Sequence, residues 1–330
     1  MAASPAKANP IAVAGGAVAA TEVSTTPYRR GATLVVLAAC VLSLNGLVLR
    51  HIEDASAWQI LFWRASALTV AMCCLFLVRH RGRAMAELRR AAPSALVAAP
   101  FAGLASVCFI QSLTHTTVAN TLFTLSAVPL LTAVLGWLIL KEPVSRATWL
   151  AIAAAMAGIA LMVADGFGSG ALFGNVMALA TAALFACYVI ALRRGRGVDM
   201  LPSVCIAGVI AASIGGIVAD DLVLSPRDTA LCLLWGAVLS CAGHALFTLG
   251  SRFVPAAEIS LLSLTEFVLG PLWVWLVVDE VPGTLTLAGG AVVLVVIVAW
   301  SHNRMRRGRA ASAVDGCPGD VREGRPASRA

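Results

Sequence analysis

Four ionisable residues, Arg64, His244, Glu258 and Glu266, stand inside long apolar runs. A charge at the centre of a membrane helix costs about 2.5–3.5 kcal/mol on insertion scales, so such residues are site candidates by default. At about 1.5 Å of rise per residue, Arg64 and Glu266 both fall near the middle of their runs. They are predicted to face one cavity as substrate-binding residues, either paired with each other or holding the two ends of a zwitterionic substrate. A Glu alone in an apolar cavity can carry a proton in exchange for substrate, whereas a Glu held by Arg64 stays ionised. Proton coupling is therefore an expectation that the residues leave open. His244 and Glu258 lie nearer the ends of their runs and are read as gating residues.

Uncharged polar residues extend the set. Asn45, Asn120 and Tyr188 are candidates for lining the substrate path, with Gln111 and Asn175 as further polar groups in apolar runs. Amides also serve as hydrogen-bonding glue between membrane helices, and the residues alone do not separate the two uses. Pro129 in one run and Gly270 and Pro271 in another are read as helix interruptions that free backbone groups to face a cavity. No Cys/His cluster or CxxC spacing occurs, so neither a metal nor a cofactor is expected.

The elements that hold these residues must be membrane helices. The 330 residues are 59% hydrophobic and 12% charged, about half the charge of an ordinary water-soluble domain. Apolar runs bounded by charges or Gly/Pro clusters cover 31–49, 56–78, 94–113, 117–140, 146–164, 171–192, 200–218, 229–249, 256–278 and 284–300. The expected fold is all-α and integral to the membrane, with ten transmembrane helices. Residues 1–30 and 301–330 are expected to be disordered extensions, the second one basic. The stretch IAVAGGAVAA before Thr21 has too weak an apolar core for a signal peptide.

The net charge of +7 is not a nucleic-acid footprint, because it sits beside the apolar runs. With both termini in the cytoplasm, 21 Lys and Arg fall inside and only Arg50 and Arg227 outside, as the positive-inside rule requires. Seven tryptophans, Trp235 among them, lie within about two turns of a run end, where an indole favours the headgroup boundary.

Shifted by 138 residues, the chain overlays itself without a gap: Ala119 meets Ala257, Leu131 meets Leu269, Trp137 meets Trp275, Leu138 meets Leu276 and Glu142 meets Glu280. Each Glu is soon followed by a proline, Pro143 or Pro282. The overlay predicts two repeats, 31–164 and 170–300, of five helices each. An odd number inverts the second repeat, a device of secondary transporters. It also sets Asn120 opposite Glu258. Glu142 and Glu280 end helices, where the dipole disfavours an anion, so each is expected to find an Arg or a backbone N–H in a connecting loop.

The stretches LSAVPLLTAVLGWLILKEPVS and LTEFVLGPLWVWLVVDEVPG resemble the two EamA repeats of the drug/metabolite transporter superfamily. The resemblance spans about 31–300 and departs in one place: Pro129 faces Phe267, and Pro271 comes a turn later. It implies ten helices in two inverted halves and movement of small metabolites, such as amino acids out of bacteria or nucleotide sugars across organelle membranes. The function expected is secondary active export by alternating access, with uptake or exchange as the alternative.

Other classes fare poorly. HExxH and GxSxG are absent and no Asp pair lies within the apolar runs, so the usual hydrolase sets are missing and no enzyme is expected. A receptor or scaffold would need a recognition surface, yet the outer connections are short. Without a P-loop, energy must come from a gradient rather than ATP. The expected partners are a small-molecule substrate and the lipid bilayer. An Ala-rich chain with only Lys7 and Lys141 as lysines suggests a bacterial inner membrane.

Overall fold

The computed structural model describes residues 25–140, 146–166, 171–195, 198–250, 253 and 256–315. Apolar sequence with few breakers folds almost entirely into helix, since a backbone in lipid must satisfy its own hydrogen bonds. The helices are α1 (Thr25–Leu42), α2 (Asn45–Arg50), α3 (Ala57–His80), α4 (Ala84–His115), α5 (Val118–Leu125), α6 (Val128–Leu140) and α7 (Arg146–Gly166). Then follow α8 (Leu172–Arg194), α9 (Leu201–Val218), α10 (Pro226–Leu233), α11 (Cys241–Gly250), α12 (Ala256–Val278) and α13 (Thr284–Asp315). A π-helical segment, Leu234–Ser240, joins α10 to α11.

Local signals account for the boundaries. Ser56 caps α3 in a reciprocal box with Gln59, whose side-chain oxygen accepts from the Ser56 N–H at 2.8 Å. Thr117 and Ser225 cap α5 and α10, and Pro226 opens α10 where its missing N–H costs nothing. Asp279 ends α12 with φ at 56°, in the left-handed region, and the chain turns there toward Glu280.

The expectation of ten transmembrane helices in two inverted five-helix repeats is overturned. Among the described residues, six helical runs are long and apolar enough to cross a membrane: Arg29–Arg50, Ala57–His115, Val118–Ile139, Leu172–Leu192, Leu201–Val218 and Pro226–Phe247. Trp149–Leu161, Thr265–Val278 and Thr284–Trp300 are apolar but shorter, below the roughly 20 residues that span a hydrocarbon core. Counting apolar runs overestimates spans for two reasons. The described apolar stretches of the fifth, ninth and tenth runs are shorter than a span. The second and third belong to one helical stretch of 59 residues, interrupted only by the turn at Arg81–Arg83. The ends differ as well: α1 begins at Thr25, and α13 continues to Asp315.

Packing centres on α3 and α4. Helix α4 lies against α8 and α9, α3 against α9 and the π-helical segment, α1 against α11 and α12, and α7 against α13. The main core joins Leu49, Ile60, Leu61, Ala65, Ile110, Leu113, Val118, Leu122, Ala211, Cys232, Trp235 and Val274. Small residues allow the closest approaches. A Cβ on Gly215 would meet the Trp58 carbonyl at 2.9 Å. One on Gly236 would collide with the backbone carbonyl of Arg64.

Candidate functional site

Arg64 is buried in the main core, and three elements surround it. From α4, Ser106 Oγ accepts a hydrogen bond from the Arg64 guanidinium. From the π-helical segment, the Trp235 ring lies under that guanidinium, 5.2 Å from its carbon to the ring centroid, within cation–π range. From α2, Asn45 Oδ1 accepts from Trp235 Nε1 at 2.8 Å and fixes the indole. Each part depends on local sequence. Asn45 follows the break at Ser43–Leu44, which turns its side chain inward, and Gly236 lets the π-helical segment touch the α3 backbone.

The site is electrostatically incomplete. No carboxylate among the described residues lies within ion-pair distance of Arg64. Its buried Nε has no hydrogen-bond partner. A buried cation without a counter-charge is costly, which makes Arg64 a candidate site for an anion.

Glu266 stands on α12, half-buried, and among the described residues it makes no hydrogen bond or ion pair. The direct Arg64–Glu266 pair is thus not formed. Phe267, next to Glu266 on α12, packs on the main core, which contains Leu61, Ala65 and Trp235. His244 on α11 bonds the Ser240 carbonyl through Nδ1 at 2.7 Å and lies within electrostatic reach of Arg64. The side chains of Glu258 and Pro129 lie outside the described residues, as do Lys141 and Glu142.

The remaining candidates sit elsewhere. Asn120 on α5 donates through Nδ2 to Thr116 Oγ1 at 3.2 Å and to Asn175 Oδ1 on α8. Thr116 Oγ1 donates to the same Asn175 oxygen at 2.9 Å. Asn120 Oδ1, Asn175 Nδ2 and Gln111 Nε2 are buried without partners. Tyr188 on α8 is buried against Ala98 and Ala191, and its hydroxyl meets Ser203 Oγ of α9 at 3.2 Å. Neither group touches the Arg64 cluster.

The interruptions differ between the two runs. Helix α5 stops at Leu125, and α6 begins at Val128 with Pro129 as its second residue. Gly270 and Pro271 instead lie within the continuous α12, where Gly270 abuts Leu122. Nearby, Trp273 Nε1 donates to Ser43 Oγ at 3.1 Å.

Two features lie beyond the candidate site residues read from the sequence. Trp235, expected at a headgroup boundary, is 0% exposed and forms the floor under Arg64; the adjoining Gly236 is the one local sign of close packing. The second is a clamp at the end of the bundle. Arg50 Nε donates to Glu280 Oε2 at 2.5 Å, while its other nitrogens reach the Leu113 and Thr116 carbonyls at 3.2 and 3.0 Å. Glu280 Oε1 accepts from the Val118 N–H at 2.9 Å, at the positive end of α5. Glu280 thus has both of the partner types expected for it.

Similarity to known proteins adds to this geometry. Residues 29–164 match the EamA-like transporter family. The Pseudopaline exporter CntI of Pseudomonas aeruginosa, in each of two strains, is 25% identical over 282 residues, which are 84% of this chain and 97% of that protein. The Uncharacterized transporter YwfM of Bacillus subtilis (strain 168) is 27% identical over 181 residues, 51% of this chain and 61% of that protein. A solved crystal structure superposes with a TM-score of 0.60 at 17% identity, over 82% of this chain and 94% of the other. That last likeness is one of fold.

Proposed function

We propose that the chain is an EamA-like transporter, the family that residues 29–164 match, and that it exports small metabolites, such as amino acids or related compounds, by alternating access. It is a multi-pass secondary transporter and not an enzyme. The observation that carries the export reading is its similarity, over nearly the whole length of the relative, to proteins named as exporters. The asymmetry of Lys and Arg supports a bacterial cytoplasmic membrane with both termini inside.

In this reading Arg64 and Glu266 contact the substrate from α3 and α12. Asn45 acts through Trp235, Asn120 and Tyr188 line the path away from the centre, and His244 and Glu258 gate it. Glu266, which makes no ion pair among the described residues, is the proton carrier if transport is coupled to a proton gradient.

Counterflow in proteoliposomes tests the proposal. Vesicles are loaded with amino acids and related metabolites, with pseudopaline included because the relatives' name specifies it. Wild type is expected to exchange at least one compound, and Glu266→Gln to lose that exchange while remaining folded. Exchange untouched by the mutation would remove Glu266 from the working site. Transport that ignores an imposed proton gradient would sink the coupling. Absence of exchange for every compound would count against export of this class.

A further inference from the structure

We infer that Arg64 is the docking point for an anionic group of the substrate, a carboxylate or another single anion of that shape. The inference rests on the transporter reading above and specifies its chemistry. Three observations converge on it. Arg64 is 5% exposed in the core and has no carboxylate partner among the described residues. Its Nε is buried and unpartnered, while Nη2 beside it is held by Ser106 and the guanidinium face by Trp235. The guanidinium is thus fixed in orientation with its Nε–H left without an acceptor, a donor that suits a carboxylate oxygen.

The third observation is independent of charge. The element carrying Trp235 is π-helical over Leu234–Ser240, and it touches the Arg64 backbone through Gly236. π-Helical turns are rare and gather at functional sites. Trp235 is the second residue of this segment, fully buried, and its indole N–H donates to Asn45 on α2. The floor of the anion site and the wide turn are one construction. An anion that binds Arg64 is therefore felt directly by the segment linking α10 to α11.

Thermal unfolding of the full-length protein in lipid nanodiscs tests this with simple acids standing in for the cargo. The midpoint is followed during titration with acetate, glycine, L-leucine and L-glutamate, each beside its matching carboxamide. At least one acid is expected to raise Tm, with its carboxamide binding about tenfold or more weakly, the loss expected when a buried charge pair is not made. Arg64→Gln should abolish the preference and Arg64→Lys should retain it. Equal responses to acid and amide, or no response to any acid, overturn the inference.

A second measurement needs no ligand. Arg64→Met removes an unpaired buried charge at similar volume and is expected to leave Tm equal or higher. A fall in Tm would instead make Arg64 a brace held by Ser106 and Trp235, and the inference would fail. Counterflow of an acid that survives Arg64→Met undiminished would keep the transporter and overturn the anion site. Loss of all counterflow in wild type would strike the transport reading itself.

Discussion

At the scale of single residues, the centre of the protein is a stack: Asn45 holds Trp235, Trp235 underlies Arg64, and Ser106 takes one edge of the guanidinium. Each layer restricts the next, so a change in the lowest should be felt at the top. Asn45→Ala leaves the buried Trp235 N–H without an acceptor, a loss of about 1–3 kcal/mol. It is expected to lower the unfolding midpoint and to weaken exchange of any substrate that depends on Arg64. Thermal unfolding and counterflow on the same preparation check this, and a variant with unchanged stability would show that Trp235 does not need Asn45. Gln in place of Glu266 should behave differently. Glu266 makes no hydrogen bond or ion pair among the described residues, so Glu266→Gln should leave Tm at or above that of wild type while exchange is lost. A large drop in Tm would mark Glu266 as a structural residue.

At the scale of elements, the π-helical segment and the break between α5 and α6 are two irregular places in the bundle. In the first, Gly236 lies so close to the α3 backbone that a Cβ there would collide with the Arg64 carbonyl. Gly236→Ala is expected to destabilise by about 1–3 kcal/mol through overpacking and to push Trp235 off Arg64. Near-ultraviolet circular dichroism, which reads the setting of tryptophans, should change along with Tm; a silent substitution would show that the segment does not depend on the contact. The second irregularity follows from Pro129, which fits the first turn of a helix and not its interior. Pro271 shows the other outcome. There α12 runs on to Val278, consistent with membrane helices that tolerate proline when neighbours re-satisfy the freed carbonyl.

At the scale of the whole molecule, the clamp of Arg50, Glu280 and the α5 N-terminus ties together four segments distant in sequence: α2, the end of α4, the start of α5, and the connection after α12. It closes that end of the bundle around the core residues Leu49, Leu113 and Val118. Both side chains are mostly buried, so the pair should be worth more than an exposed ion pair. A double-mutant cycle with Arg50→Gln and Glu280→Gln is expected to give a coupling of about 1–3 kcal/mol; a coupling near zero would make it an ornament of the surface. Orientation is testable at this scale too. Cys317 in the basic tail, as the one cysteine of an otherwise cysteine-free variant, should resist an impermeant maleimide on intact cells and react once they are opened. Labelling of intact cells would reverse the assignment of sides.

Composition alone determined that this is a helical membrane protein, because 12% charge cannot surround a soluble core of this apolarity. The motif stretches pointed to the family that residues 29–164 match, and the rarity of charge in apolar sequence singled out Arg64, His244, Glu258 and Glu266. A partner for Glu280 was legible as well, since an anion at a helix C-terminus demands one. What the sequence could not carry was the number of membrane-crossing helices and the partners of the buried charges. Apolar runs report hydrophobicity and not where a helix bends, shortens or merges with the next, which neighbouring elements decide. Partner choice is non-local in the same way. Arg64 and Trp235 are 171 positions apart, and Arg50 and Glu280 are 230 apart. Only packing brings them together, and only packing shows that Arg64 and Glu266, the pair suggested by depth, are not bonded to each other.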